Sequence, residues 1–599
     1  MFRFPSPRAD LILIHPPSVF DFRKRKILFG PISDVVPSTP AFEMYPIGFS
    51  SISEHLSKND VSVRIVNLAY LMLTGKDFDV REFLSRLKAR AFGISLHWLP
   101  HAHGAVELAR LLKEIHPEVP VIFGGYSSTY FHEEIIELPY VDFVVRGDST
   151  ERALLSLMRA IKNGAKTAGE LDDIPNLTRM KGGGVRVNDE LIVEESLNDF
   201  SNNYLNLFRK SVKYFDIKGM TPIYDWWRYP ITMMVTCRGC GENCVICGGS
   251  NFAMRKYLGR KKVAFRDPGL VARDILSLSR YTSAPIFVVG DLLQAGHDYA
   301  ETLIKRMGKK RIANQMVFEF FNPAPEAFFE KVSRVFPNVN YEISPETHDD
   351  EVRKMSGKRY KTEAMEDSIG WALKHGAKKF DVFFMIGISG QDKKSVMETV
   401  EYSGYLMERF GKRLSPFISP LAPFVDPGSM AFEQPEKHGY KILFKSFSEH
   451  VEALNAPSWK YMLNYETKWL TRDGIVSATY DSGARMNELK LKGGHIDRET
   501  YLDVKGRLDR DVKLMSYIDK MCIPGRGGIE GIEGDRTLME RGIDLDDIGI
   551  VCGEEEIKWP VVRSGFRFFN IGIAIAFETI KRGIGKLCRA FLKRGSEME

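Results

Sequence analysis

Apolar residues fall in short, nearly unbroken runs over the first part of the chain. The runs are Leu11-Ile-Leu-Ile-His15, Val61-Ser-Val-Arg-Ile-Val-Asn67, Ala91-Phe-Gly-Ile-Ser-Leu96, Val119-Pro-Val-Ile-Phe123 and Phe143-Val-Val-Arg146. Each has the length of a strand covered on both faces. Between them apolar positions recur at helical spacing, as in Ala105-Val-Glu-Leu-Ala-Arg-Leu-Leu-Lys-Glu-Ile115. Strands alternating with such helices predict an α/β domain over residues 1–170, built on a doubly wound parallel sheet. Ligands bind such a sheet at the carboxyl ends of its strands.

Residues 171–225 read as a linker. From about 226 to 430 the alternation returns, with strand-like runs at Ile231–Val235, Ile286–Leu293, Val317–Phe321, Tyr341–Thr347, Asp381–Gly390 and Pro416–Pro423. Six strands with intervening helices predict a second α/β unit, an incomplete barrel with its chemistry at the strand carboxyl ends. After Pro427-Gly428 the pattern turns helical and polar, predicting a mostly helical region over 431–535. Gly525-Arg-Gly-Gly528 and the glycines at 531 and 534 predict a flexible linker. Residues 536–599 form an extension whose apolar run Phe566–Phe577 precedes Lys581, Arg582, Lys586, Arg589, Lys593 and Arg594.

Composition narrows the class. The 599 residues suit three or four domains at roughly 150 residues each. A net charge of +6 is small for this size, and no basic domain calls for nucleic acid. Met1-Phe-Arg-Phe-Pro5 leads into a strand without the pattern of a signal peptide. Four of the seven cysteines lie in one loop. That is no disulfide framework, and it points to a reducing, cytoplasmic compartment.

The loop is Thr236-Cys-Arg-Gly-Cys-Gly-Glu-Asn-Cys-Val-Ile-Cys-Gly-Gly249. Cys240, Cys244 and Cys247 have the spacing C-x3-C-x2-C, so three thiols converge from one short segment. A structural zinc normally takes a fourth ligand, often from a distant pair, and this chain has no second C-x2-C. A 4Fe–4S cluster usually takes four thiolates, and three leave one iron open to a substrate or cofactor.

This loop resembles that of the radical S-adenosylmethionine (SAM) superfamily, and its cobalamin-dependent members in particular, where T-S-R-G-C-x3-C-x2-C is common. Cys237 stands in the serine position, either as a small residue before the loop or as a fourth ligand. The resemblance implies that Cys240, Cys244 and Cys247 hold three irons of a 4Fe–4S cluster while SAM chelates the fourth. It extends to the first domain, where Gly93-Ile-Ser95, Phe123-Gly-Gly125 and Gly147-Asp-Ser-Thr-Glu151 follow the order of a Rossmann-like cobalamin-binding domain. The D-x-H-x-x-G motif is absent, which implies cobalamin with its own base displaced and protein under the cobalt.

Site residues follow by the same carry-over. Ser95, Gly124 and Gly125 fall at the cobalamin edge, where a backbone without side chains admits a bulky ligand. In the loop after the third strand, either Trp98 packs under cobalt, or His97 ligates it, or these residues only cap the sheet edge and touch solvent. Gly290 and Asp291 occupy the place that meets the SAM amino group, with Asp291 as acceptor or as a simple helix cap, and Glu346 lies near ribose and methionine. Tyr461 and Tyr465, four apart in an aromatic-rich stretch, read either as a shared helix face lining the substrate cavity, with a tyrosine donating hydrogen or a proton, or as core.

The implied activity is reductive cleavage of SAM to a 5′-deoxyadenosyl radical that attacks an unactivated carbon, with electrons from a ferredoxin or flavodoxin. C-methylation of a lipid, an isoprenoid or a protein side chain leads. Ring closure, rearrangement or oxidation without methyl transfer is the alternative, and a non-catalytic cobalamin or metal sensor comes last. The uncharged run Phe568–Phe577 is far short of the roughly twenty residues that span a bilayer. The basic, Phe-rich stretch 564–594 suits either peripheral contact at the inner face of a membrane or a docked terminal helix.

Overall fold

The computed structural model describes residues 7–25, 27–28, 43–75, 77–164, 171–224, 226–227, 230–308, 310–420, 424–521 and 565–577. The first domain holds a seven-stranded sheet made of β1 (Leu11–His15), β2 (Val63–Asn67), β3 (Ala91–Ser95), β4 (Val121–Gly124), β5 (Phe143–Val145), β6 (Leu177–Lys181) and β7 (Gly184–Val187). Their order is β2-β1-β3-β4-β5-β6-β7. The first five strands are parallel, with Leu11 level with both Val63 and Ala91.

One sheet face, with Ile12, Ile14, Phe92, Ile94 and Phe123, packs on helix Ala102–Ile115. The other, with Leu11, Leu13, Val63, Ile65 and Ile122, meets helices Gly48–Lys58 and Glu151–Lys162. Burial on both faces is why these strands read as continuous apolar runs. The strand order reverses between β1 and β3, which opens a crevice at their carboxyl ends.

Residues 171–225, expected as a linker, extend this domain instead. β6 and β7 form an antiparallel hairpin that pairs with β5. Helix Tyr204–Lys213 then packs Phe208 against Trp226 and Trp227.

The second unit is a six-stranded, all-parallel sheet of β8 (Thr232–Val235), β11 (Ile286–Val289), β12 (Met316–Phe320), β13 (Val339–Glu346), β14 (Lys379–Ile386) and β15 (Leu414–Pro420), in the order β15-β14-β13-β12-β11-β8. The short pair β9 (Cys237–Arg238) and β10 (Ala264–Phe265) interrupts the run between β8 and β11. Outward residues such as Val288, Phe318, Tyr341 and Phe380 build the core under the surrounding helices. The helix starts carry their own signals: Asp267 accepts from the Leu270 N–H at 3.0 Å and Pro268 opens helix Pro268–Leu278. β8 and β15 are the two edges, so the sheet is an incomplete barrel.

The C-terminal region adds the hairpin β16 (Tyr440–Ile442) and β17 (Tyr465–Thr467) and the long helices Arg472–Lys492 and Arg498–Met521. The expected glycine-rich linker, and the basic stretch from Lys581 onward, lie outside the described residues.

Candidate active site

The cysteine loop begins where β8 is clamped to β11: the Thr236 hydroxyl donates to the Val289 carbonyl at 2.8 Å. Beyond it the chain folds back on itself. The Glu242 N–H reaches Cys240 Sγ at 3.4 Å and the Gly249 N–H reaches Cys247 Sγ at 3.3 Å, contacts that favour negative sulfur. Ser250 then caps helix Asn251–Tyr257. Gly357, at φ +97°, lets residues 356–358 lie directly on the Asn243–Cys244 backbone, and the Val245 N–H donates to the Ser356 carbonyl at 3.0 Å.

Burial pushes the thiols up, Cys244 to about 11 and Cys247 further, although the Lys358 charge pulls Cys244 partway down. A bare thiolate is disfavoured there, so only a positive centre such as iron would keep the three deprotonated. Among the described residues no three His, Cys, Asp or Glu side chains approach closely enough to share one metal ion. A cluster places each thiolate on a separate iron, and this donor set fits it. Cys237 lies against the end of β11, where Gly290, at φ +95°, makes room: a Cβ there would come within 2.5 Å of Cys237 Sγ.

Beside the loop, Glu346 takes a left-handed φ of +70° at a bulge in β13. Its Oε1 pairs with the buried Lys358 Nζ at 2.7 Å. Oε2 is buried with no partner among the described residues. An orphaned carboxylate oxygen is costly to bury and fits a hydrogen-bond donor arriving with a ligand such as SAM.

Asp291 takes the capping role instead. It accepts from the Leu293 N–H at 2.8 Å and the Phe321 N–H at 2.9 Å, and burial raises it to about 6. Its neighbour Glu319 accepts from the Gly290 N–H and faces open space. Glu319, Glu342 and Asp381 are direct partners across β12, β13 and β14, so three carboxyls stand level on the barrel's inner face. Lys379 pairs with Asp381 at 2.8 Å. Burial, then Glu319 and Asp381, raise Glu342 well above the usual range.

A cavity of about 480 Å³ lies between the two domains. Ser95, His97, Gly124 and Gly125 line its first-domain side, and Cys237, Cys240, Gly290 and Glu319 its barrel side. A Cβ on Gly124 would meet nothing nearer than 3.8 Å, so bare backbone faces the space. Gly125 differs. At φ +120° its Cβ would lie 2.5 Å from the His97 backbone, so glycine is what lets the loops after β3 and β4 touch. The bare wall and the cavity's placement over the sheet crevice fit a bulky planar cofactor.

His97 opens onto this cavity and a second of about 320 Å³, its ring 4.8 Å from Tyr126. The protein packed around it, then His101, lowers its pKa to about 4 and favours the neutral ring, although His97 keeps an exposed surface. Trp98 lines only the second cavity of the two.

Sequence reading missed what joins the halves. Arg238 of the cysteine loop forks onto Glu151, with Nη1 2.9 Å from Oε2 and Nη2 on Oε1, and Ser51 adds a bond of 2.8 Å. Arg260 bonds Asp148, Ser149 and the Glu194 carbonyl. The Gly147–Glu151 element is thus the seam between domains. The sequence marked that element by its resemblance to a cobalamin-binding domain, but nothing in it marked Arg238 and Arg260 as its partners.

The tyrosines are a correction. Helix Trp459–Met462 ends before Tyr465, which lies on β17, so the two share no helix face. Tyr461 donates to Asp519 at 2.8 Å, Tyr465 is fully buried, and neither lines either cavity. Both belong to the packing of the C-terminal region.

A three-thiolate loop at the mouth of a partial parallel barrel, facing a doubly wound sheet across one cavity, defines an iron–sulfur protein with room for a second large cofactor. The B12 binding domain family matches residues 34–155 and the Radical SAM superfamily matches residues 234–403. The chain thus carries a B12 binding domain followed by a Radical SAM domain, and the cofactors these two domains take are cobalamin, and a 4Fe–4S cluster with SAM.

It is 25% identical over 267 residues to the anaerobic magnesium-protoporphyrin IX monomethyl ester cyclase of Synechocystis sp., covering 44% of this chain and 48% of that protein. The chain thus spans about half the length of that curated relative. In fold it is similar to the radical SAM methyltransferase TsrM of Kitasatospora setae with cobalamin and a [4Fe-4S] cluster bound (TM-score 0.56, 13% identity, 86% of this chain and 99% of that one). It is also similar to the cobalamin-dependent radical enzyme OxsB with aqua-cobalamin bound (TM-score 0.54, 11% identity, 92% and 78%). Among the described residues no helix is long and apolar enough to cross a membrane.

Proposed function

We propose that this protein is an enzyme that modifies an unactivated carbon by radical chemistry, with C-methylation as its reaction. The observation that carries the reading is the single cavity walled by both the cysteine loop and the Gly124-Gly125 edge. When bound, the cluster and SAM supply a carbon-centred radical, and cobalamin supplies a transferable methyl group.

The chain's own residues then have separable tasks. Glu346 Oε2 accepts a ligand donor beside Cys244, and Lys358 fixes the orientation of that carboxylate. Glu319 holds the Gly290 N–H and so the end of β11. Arg238 and Glu151 close the seam against water, which keeps radicals from side reactions. His97, which lines the cavity beside Ser95, would be a residue to face a cobalamin bound there.

Glu319, the member of the carboxyl row that lines the cavity, favours a substrate that brings a hydroxyl or amine donor, whether a lipid, an isoprenoid or a protein side chain. Electrons come from a ferredoxin or flavodoxin. Ring closure without methyl transfer is the second reading, favoured by the likeness to a cyclase. Product masses separate the two after anaerobic turnover with methyl-deuterated SAM. Methylation transfers the label, whereas cyclisation removes two hydrogens and transfers none. Unlabelled, dehydrogenated product would overturn the methylation reading.

A further inference from the structure

Residues 565–577 are pinned beneath the barrel, far in the fold from the cysteine loop. Phe566 bridges to Thr282, and the Arg567 N–H donates to the Tyr281 carbonyl at 2.7 Å. The Phe566 ring sits 4.7 Å from Trp226 and 5.0 Å from Phe208. Residues 568–577 are helical, and Asn570 holds the Arg280 carbonyl at 3.0 Å. Ile571 is buried in this dock.

The helix is apolar all round, which ordinarily means burial on all sides. Its outer stripe is not buried: Phe569 is 79% exposed, Ile573 56% and Phe577 68%. The apolar surface continues onto the neighbouring segment. Phe568 lies 6.3 Å from Trp227, whose indole donates to Thr221, and Thr221 holds the carbonyl of the exposed Ile217. Exposed Lys218, Arg280 and Arg567 border it.

Charge decides what covers this face. Directly after the stripe, residues 578–596 carry six Lys or Arg against one acid, Glu578. A second copy would bring those like charges together. The segment 522–564 holds ten Asp or Glu against five Lys or Arg, a poor cover for an aromatic stripe. We infer that the face formed by Ile217, Phe568, Phe569, Ile573 and Phe577 is a docking surface for an anionic lipid bilayer, with the aromatic side chains at the headgroup boundary and the basic rim on the lipid charges. The surface is independent of which reaction the cavity performs.

Flotation of the full chain with vesicles tests it, using phosphatidylcholine alone and phosphatidylcholine mixed with phosphatidylglycerol. Binding is expected to the anionic vesicles only, to weaken with salt, and to fall about tenfold or more in Phe569→Ser/Phe577→Ser. Phe569→Trp, which keeps the face apolar, should show a blue shift of its added emission on the same vesicles even if the serine variant folds poorly. Absent binding to anionic vesicles, or no shift from the tryptophan, overturns the inference. So does a serine variant that binds vesicles normally but turns a dimer into a monomer, which would assign the face to a second copy.

Discussion

Replacing Glu151 by glutamine should loosen the seam between the two domains. Arg238 and Glu151 have side-chain exposures of 16% and 2%, and two guanidinium nitrogens meet the carboxylate in a fork. At about 4 Å and an effective dielectric near 20, such a pair attracts by about 4 kcal/mol. Removing one partner leaves the other charged and buried, which costs about 3–5 kcal/mol, whereas an apolar replacement of both costs far less. Burial alone would raise Glu151, but the Arg238 charge and the bonds from Arg238 and Ser51 outweigh it and hold the carboxyl below its ordinary range. Its stabilising contribution is therefore present above the unfolded value and lost as pH falls through the folded one. Hydrogen exchange of peptides spanning 147–151 and 236–248, read as local opening free energies, provides the assay. Glu151→Gln should lower local stability by about 3 kcal/mol or more in both peptides, and Glu151→Leu/Arg238→Met should recover most of it. A single variant within about 1 kcal/mol of wild type, or strictly additive effects, would refute the reasoning.

The two glycines of the cavity edge should behave differently. Gly124→Ala should fold with normal thermal stability yet bind cobalamin more weakly by its visible absorbance, since the new methyl points into the cavity. Gly125→Ala should destabilise the first domain by about 3 kcal/mol or more, because its φ of +120° and the nearby His97 backbone both oppose a side chain. Equal stability of the two variants would contradict that contrast. Tyr465→Phe removes a buried hydroxyl with no partner among the described residues, so stability should hold or rise by about 1 kcal/mol and 5′-deoxyadenosine formation should persist. A large loss of turnover would restore a catalytic role. Glu342 has a raised folded pKa, so the stability tied to its proton is present at low pH and lost as pH rises through the folded value. Glu342→Gln should thus be near neutral in acid and increasingly stabilising toward alkaline pH. Parallel denaturation curves at all pH values would contradict it.

The strands of both units were legible because burial on two faces writes itself as unbroken apolar runs, and the cysteine loop because all its thiols are contiguous. The hairpin β6–β7 was not. Its outer strand β7 is the sheet edge and mostly exposed, and β6 beside it carries polar Thr178, Arg179 and Lys181, so neither reads as an apolar run. Tyr461 and Tyr465 kept helical spacing in a helix that stops between them. There the Asn464 side chain bonds both the N–H and the carbonyl of Val425, and β17 begins at the next residue. The Arg238–Glu151 fork joins residues 87 apart, and nothing local in either segment announces a partner. The carboxyl row was written in the sequence as Glu319, Glu342 and Asp381, each flanked by apolar residues in its strand, but only the register makes it a row.

The central claim is that the cysteine loop and the Gly124-Gly125 edge serve one radical-generating cavity. It is tested most directly by anaerobic reconstitution with iron, sulfide and hydroxocobalamin, then reduction with SAM and mass spectrometry for 5′-deoxyadenosine and S-adenosylhomocysteine. The account predicts 5′-deoxyadenosine from the reconstituted protein, none from Cys244→Ala, and S-adenosylhomocysteine only when cobalamin is present. Deoxyadenosine from Cys244→Ala at the wild-type rate, or SAM left intact by the fully reconstituted and reduced protein, would contradict it.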